Sequence, residues 1–183
     1  DREELKILTL VSVAFRVALL FSVPGLSDDF YRFIWDGRLL AAGLHPFAEV
    51  PSYYMSPETS IPALDAELFN KLNSKETFTI YPPVAQFIFW LSVVLSDGTL
   101  YGSVLAMKII IFLLELGVLW MFPKVLARFQ QHPSGALIYA LNPLVILELT
   151  GNLHFEGIMI FFLLTGIYFL ARQQRLDAAA GHV

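Results

Sequence analysis

Leu100-Tyr-Gly-Ser-Val-Leu-Ala-Met-Lys-Ile-Ile-Ile-Phe-Leu-Leu-Glu-Leu-Gly-Val-Leu-Trp-Met-Phe122 outlasts the roughly twenty apolar residues that a helix needs to cross a ~30 Å hydrocarbon core. Lys108 and Glu115 are its only charges. The rest of the chain matches it. Over 183 residues it is 56% hydrophobic and 15% charged, where soluble domains average about 45–50% and about 25%. The composition is that of an integral membrane protein. The absence of cysteine removes disulfides, thiol nucleophiles and cysteine-based metal sites. A net charge of −4 argues against nucleic acid as a partner, because binding a phosphate backbone needs a basic surface.

Four more apolar blocks flank this one, at about 5–24, 83–96, 134–149 and 157–171. Pro24-Gly25 stops the first, and Asn142-Pro143 interrupts the fourth of the five. The blocks at 83–96 and 134–149 are short for full crossings. The expected fold is all-α, a polytopic transmembrane helical bundle with a long structured external loop over 25–82. With Asp1 rather than Met at its start, the chain reads as a piece of a longer protein. Lys108 and Glu115 lie seven residues apart, on one helix face but about 10 Å apart along the axis. Each must therefore face something else, and an interhelical pair with Arg16 is as economical as a functional role.

The loop is rich in proline, phenylalanine, tyrosine and tryptophan, unlike disordered segments, which are poor in aromatics. Wound as a helix, 28–44 gathers Phe30, Phe33, Ile34, Leu40, Ala41 and Leu44 on one arc. Asp28, Asp29, Arg32 and Asp36 fall opposite. This pattern predicts an amphipathic helix in the membrane interface, with Tyr31 and Trp35 at headgroup level. A second short helix is expected over 61–73, with Leu64, Leu68 and Leu72 on one stripe. Eight acids against four bases between Asp28 and Glu76 suit the non-cytoplasmic side. Lys124, Arg128, Arg172 and Arg175 read as cytoplasmic anchors. A strict count of crossings puts Lys124 outside as well, so the two signals conflict.

Within the loop, Ser27-Asp-Asp-Phe-Tyr-Arg-Phe-Ile-Trp-Asp-Gly-Arg38 crowds three carboxylates and two arginines against the bilayer. Charge is costly there unless water, a partner or a substrate meets it. Helix capping is the plain explanation of Ser27, Asp28 and Asp29, with Arg32 pairing to Asp28 and Asp36 at i,i+4 spacing. An adjacent acid pair exceeds what a cap requires, and carboxylates so placed are candidates for a general base. Tyr81-Pro-Pro-Val-Ala-Gln86 is a rigid turn into the next helix, and it places the Gln86 amide about one turn inside, where it wants a partner. Asn152-Leu-His154-Phe-Glu156, after Glu148, is either a polar turn between spans or a group able to orient a hydroxyl, touch a phosphate or help hold a divalent cation. Two such ligands alone do not make a metal site.

In this order, Ser27 to Arg38, Gly43-Leu-His-Pro-Phe47, Tyr81 to Gln86, Leu141-Asn-Pro-Leu144 with Glu148, and Asn152 to Glu156 resemble bacterial membrane mannosyltransferases of the GT-C superfamily. These draw their sugar from a polyprenyl-phosphate carrier. The resemblance covers roughly 10–172. Family members carry many more spans, so it extends only to their amino-terminal half. Where many relatives show Gly-His-Asn-Asp, this chain has Asn152-Leu-His154-Phe-Glu156. The resemblance implies that the first loop carries the catalytic carboxylate, Asp29, with Asp28 beside it. It implies inverting transfer of a hexose, expected to be mannose, from the carrier to a glycan or glycolipid hydroxyl. The residues it nominates around donor and phosphate are Arg32, Asp36, Arg38, Tyr81, Gln86, Lys108, His154 and Glu156. The resemblance fixes no cofactor and leaves a divalent cation open. The expected location is the bacterial inner membrane.

Two other readings compete. In a transporter fragment, Arg16, Lys108, Glu115 and Glu148 would line a polar pathway, but no repeated segment accompanies the break at Asn142-Pro143, and transporters commonly show such repeats. In a non-catalytic membrane scaffold, Asp28 and Asp29 would be replaceable together.

Overall fold

The computed structural model describes the backbone of residues 2–180 and the side chains of residues 3–173. Among the described residues there is no strand. Residues up to 22 and from 111 onward form one compact unit, and 23–110 form another. The Arg175 anchor and the tail beyond 180 lie outside the described residues.

The first unit begins with α1, Arg2–Leu20, which ends in a turn where the Ser22 amide donates to the Leu19 carbonyl at 3.2 Å. α5, Leu100–Arg128, runs on past the predicted end at Phe122 and contributes its second half here. Val118, Met121 and Val125 of α5 make a buried core with Leu164 of α8, Glu156–Ala180. Between them lies the broken segment expected at Asn142-Pro143. α6, Ala136–Ala140, and α7, Pro143–Val145, belong to arms that meet at 55°. Proline has no amide hydrogen and disfavours helix in the residue before it, so the ladder stops there. Asn142 then caps the new start, accepting from the Leu144 amide at 3.0 Å. The chain next widens into a π-turn over Ile146–Gly151.

α5 and Glu156–Gln173 of α8 are long and apolar enough to cross a membrane, and the bent segment makes a third if it is one span. α1 carries Glu3, Glu4, Lys6 and Arg16 within its 19 residues. α4, Pro83–Leu95, has only 13 residues, about 20 Å of helix.

Arg16 is fully buried and answers the question raised by Glu115. Its Nη2 lies 3.1 Å from Glu115 Oε2, and its Nη1 donates to the carbonyls of Ser12 and Ala140. The Tyr139 hydroxyl donates to the other Glu115 oxygen at 2.6 Å. This neutral knot joins α1, α5 and α6, so Arg16 and Glu115 satisfy each other.

In the second unit, α2, Asp29–Ala41, packs against α4. Phe33 stacks on Phe89 at 4.6 Å between centroids, with Tyr81 edge-on to both. Gly37 sets how closely the helices approach. A Cβ there would stand 2.5 Å from the Phe89 carbonyl oxygen and 2.8 Å from Val93 Cγ2. Gly37→Ala is therefore expected to destabilise the α2–α4 pair by about 1–3 kcal/mol through overpacking, read as a lowered melting temperature of the purified protein. α3, Ala66–Lys71, is shorter than predicted, but Leu64, Leu68 and Leu72 are all buried as the stripe required.

One expectation is corrected. The charged face of α2 is not wet along its length. Arg32 is 3% exposed, Asp36 and Trp35 are fully buried, and Ala41 at the helix end is exposed. Residues 74–79 fold over the charged side, and Trp35 faces Phe69 of α3 at 5.9 Å rather than the headgroups.

Candidate functional site

The start of α2 is organised by short-range hydrogen bonding. Ser27 Oγ accepts from the Asp29 amide at 3.2 Å, so the serine serves the helix start, and Asp28 makes no side-chain cap bond. Asp29 is thereby released from capping. It is half-buried, and its Oδ1 accepts from Asn73 Nδ2 at 2.9 Å. Asp28 beside it is exposed. An acid in the first turn is favoured by the helix dipole.

One turn further on, the polar residues turn inward. Arg32 Nε donates to Asp36 Oδ1 at 2.9 Å, and Arg32 Nη1 reaches the carbonyls of Ser74 and Thr77 at 2.9 and 3.0 Å. The second Asp36 oxygen accepts from Thr79 Oγ1 at 2.5 Å and Gln86 Nε2 at 2.9 Å. The Gln86 amide thus finds the partner that its place one turn into a helix demanded. A buried ion pair persists only when its remaining donors and acceptors are met, and this one is met from three segments. Arg32 and Asp36, predicted as substrate-binding, are committed to each other, and the Gln86 amide nitrogen to Asp36 and Thr79; together they hold α2, α4 and the 74–79 segment in register.

Arg38 clamps a different corner. Its Nη1 pairs with Asp65 at 2.7 Å and its Nη2 donates to the Gly98 carbonyl at 2.9 Å. The Leu68 amide and Arg38 hold the Asp65 carboxyl below the usual carboxylate range. Tyr81 is part of the aromatic cluster on α2 and α4. Lys108 is buried in α5.

In the first unit, His154 lies 3.5 Å from Glu148 and 3.9 Å from Glu156. Asn152 donates to Glu148 at 3.4 Å. Leu153, buried with φ of 63°, turns the chain sharply between them. Among the described residues no group of three or more His, Asp or Glu side chains is arranged to hold a metal ion.

The structure thus gathers Asp28, Asp29, Arg32, Asp36, Arg38, Tyr81 and Gln86 around α2 and α4, and His154 with Glu156 at the turn before α8. Sequence reasoning missed Asn73 and Thr79 as partners of the carboxylates. No periodicity marks them. The one available signal was that Asp36 on a helix near the bilayer had more acceptor capacity than Arg32 alone could fill. Glu148, an acid inside an apolar block, is a further member of this polar turn, beside His154 and Asn152.

The family model described as "Alpha-(1->6)-mannopyranosyltransferase, N-terminal domain" matches residues 2–183. The chain is similar to Alpha-(1->6)-mannopyranosyltransferase A of Mycobacterium tuberculosis, 29% identical over 85% of this chain and 29% of the relative. It is 29% identical to Alpha-(1->6)-mannopyranosyltransferase B of Corynebacterium glutamicum over 81% of this chain and 24% of the relative. With Alpha-(1->6)-mannopyranosyltransferase A of the latter organism the identity is 26%, over 97% of this chain and 35% of the relative. The chain therefore spans about a quarter to a third of the length of these curated relatives. No solved structure matches it.

Proposed function

Because this chain belongs to the alpha-(1->6)-mannopyranosyltransferase family, as its amino-terminal domain, we propose that it supplies the catalytic carboxylate of a membrane mannosyltransferase. The donor is a polyprenyl-phosphate sugar and the acceptor a glycan or glycolipid hydroxyl. Asp29 takes the proton from that hydroxyl while its oxygen attacks the anomeric carbon. The bond to the lipid phosphate breaks with inversion, and the phosphate leaves with the bonding pair. The first loop stands on the non-cytoplasmic side of the bacterial inner membrane.

The observation that supports this most is the division of labour along α2. Ser27 serves the helix start and Asn73 steadies Asp29, while the Arg32–Asp36–Thr79–Gln86 network fixes the helix that carries it. A general base works through position first and basicity second, and a half-buried carboxylate on an anchored helix meets the first condition. Arg32 and Arg38 are spent on internal partners, so neither is the cation that meets the departing phosphate.

Membranes carrying the complete protein are offered radiolabelled polyprenyl-phosphate mannose in one arm and a nucleotide-linked mannose in the other. Incorporation from the lipid carrier alone is expected. Equal or exclusive use of the nucleotide sugar overturns the assignment.

A further inference from the structure

Beside the start of α4, Leu40, His45, Phe47, Gln86, Phe87 and Trp90 are among the residues that line an open cavity of about 410 Å³. We infer that this cavity is a subsite for one neutral sugar ring of the acceptor glycan. The inference rests on the transferase reading above and assigns the acceptor a place within it.

The lining selects the ligand. Trp90, Phe87 and Phe47 offer aromatic faces, and the C–H face of a pyranose is the apolar surface that suits such walls. The Gln86 side chain, 4% exposed, is held by Asp36 and Thr79 through its nitrogen. Its carbonyl oxygen has no partner among the described residues. A buried acceptor without a donor costs about 1–3 kcal/mol, and a ligand hydroxyl that displaces the packing over this oxygen supplies the missing hydrogen. On the other side, His45 Nδ1 accepts from the Phe47 amide at 3.3 Å. In a neutral imidazole so held, the proton sits on Nε2, which leaves one ring donor on this exposed residue.

The cavity thus combines one acceptor, one donor and aromatic walls, with no lysine or arginine among its lining residues. A phosphate would bring negative charge and more acceptors toward the Gln86 carbonyl, with no fixed cation to offset them. A prenyl chain would fill the apolar space and leave that oxygen unmet. A sugar ring, with hydroxyls that donate and accept, answers all three features.

The test uses the full-length protein in detergent, without donor, and titrates an α-(1→6)-linked mannotriose. Wild-type protein is expected to bind it. Trp90→Leu, which removes a wall, and His45→Phe, which keeps the ring but removes the donor, should each weaken binding about tenfold, the worth of one such contact. Melting temperatures should be unchanged. In the transfer assay the acceptor KM should rise while the donor KM stays put. Because His45 is exposed, its variant decides the matter if Trp90→Leu fails to fold. Wild-type affinity in His45→Phe, competitive displacement by inorganic phosphate, or no binding by the wild type each overturns the subsite. Absence of transfer from the lipid carrier would instead overturn the transferase reading, which binding measured without donor does not depend on.

Discussion

Asp36→Leu is expected to cost the 23–110 unit about 3–5 kcal/mol, the penalty for leaving a buried charge without its partner. Arg32 would stay almost wholly enclosed with its carboxylate gone, and Thr79 and Gln86 would lose the oxygen that both donate to. Asp36 is fully buried, and the 74–79 segment covers the helix face through Arg32 itself, so the lost acceptor is not replaced from solvent. The change should appear as a large fall in melting temperature of the complete protein and as new protease cleavage within 72–82. Asp36→Asn keeps an oxygen toward Thr79 and should cost less. The decisive companion is the double variant Arg32→Met/Asp36→Leu, which removes both charges and is expected to recover part of the loss. If Asp36→Leu melts and resists protease as the parent does, the network is not what fixes α2. If the double variant is worse than the single one, the damage comes from shape and not from stranded charge.

That network shows where sequence reading reaches and where it stops. The apolar run from Leu100 to Phe122 declared itself because membrane crossing is a matter of local length and composition. The bend at Asn142-Pro143 and the leucine stripe at 64, 68 and 72 were visible for the same reason, each being a property of one short segment. The polar arc of Asp28, Arg32 and Asp36 was equally visible, yet its environment was misjudged. Amphipathicity says which residues share a side of a helix. It does not say whether water or another stretch of chain covers that side. Here the cover comes from 74–79, about forty residues away, and carries no period of its own. Trp35 was misplaced at the headgroups by the same step. The Arg16–Glu115 pair was foreseeable, since a buried charge within a span needs a counter-charge and few were on offer. Asp29 and its resemblance-based role were legible as a motif, but Asn73, 44 residues away in sequence, was not. Contacts of that range are set by the fold, and only the fold displays them.

Asp29→Asn should lower the transfer rate of the complete protein by a factor on the order of 10² to 10⁴, the usual contribution of a positioned base. The substitution is nearly isosteric. Its remaining oxygen can still accept from Asn73, and the Ser27 contact to the backbone amide is untouched. Melting temperature and membrane insertion should therefore match the parent, which separates a chemical defect from a folding one. Acceptor and donor KM should change little beside kcat, because an amide occupies the same volume and loses only the capacity to take the proton. Asp28→Asn alone is expected to be milder, since that side chain is exposed and forms no cap bond. The double change should leave only background transfer, as no second carboxylate then stands at this helix start to substitute. Asn73→Ala supplies the control on geometry. It keeps both acids but frees Asp29 to swing, and it should reduce kcat by less than Asp29→Asn does. A double Asp28/Asp29 variant that transfers mannose near the parent's rate would falsify the assignment and return these acids to helix-start electrostatics.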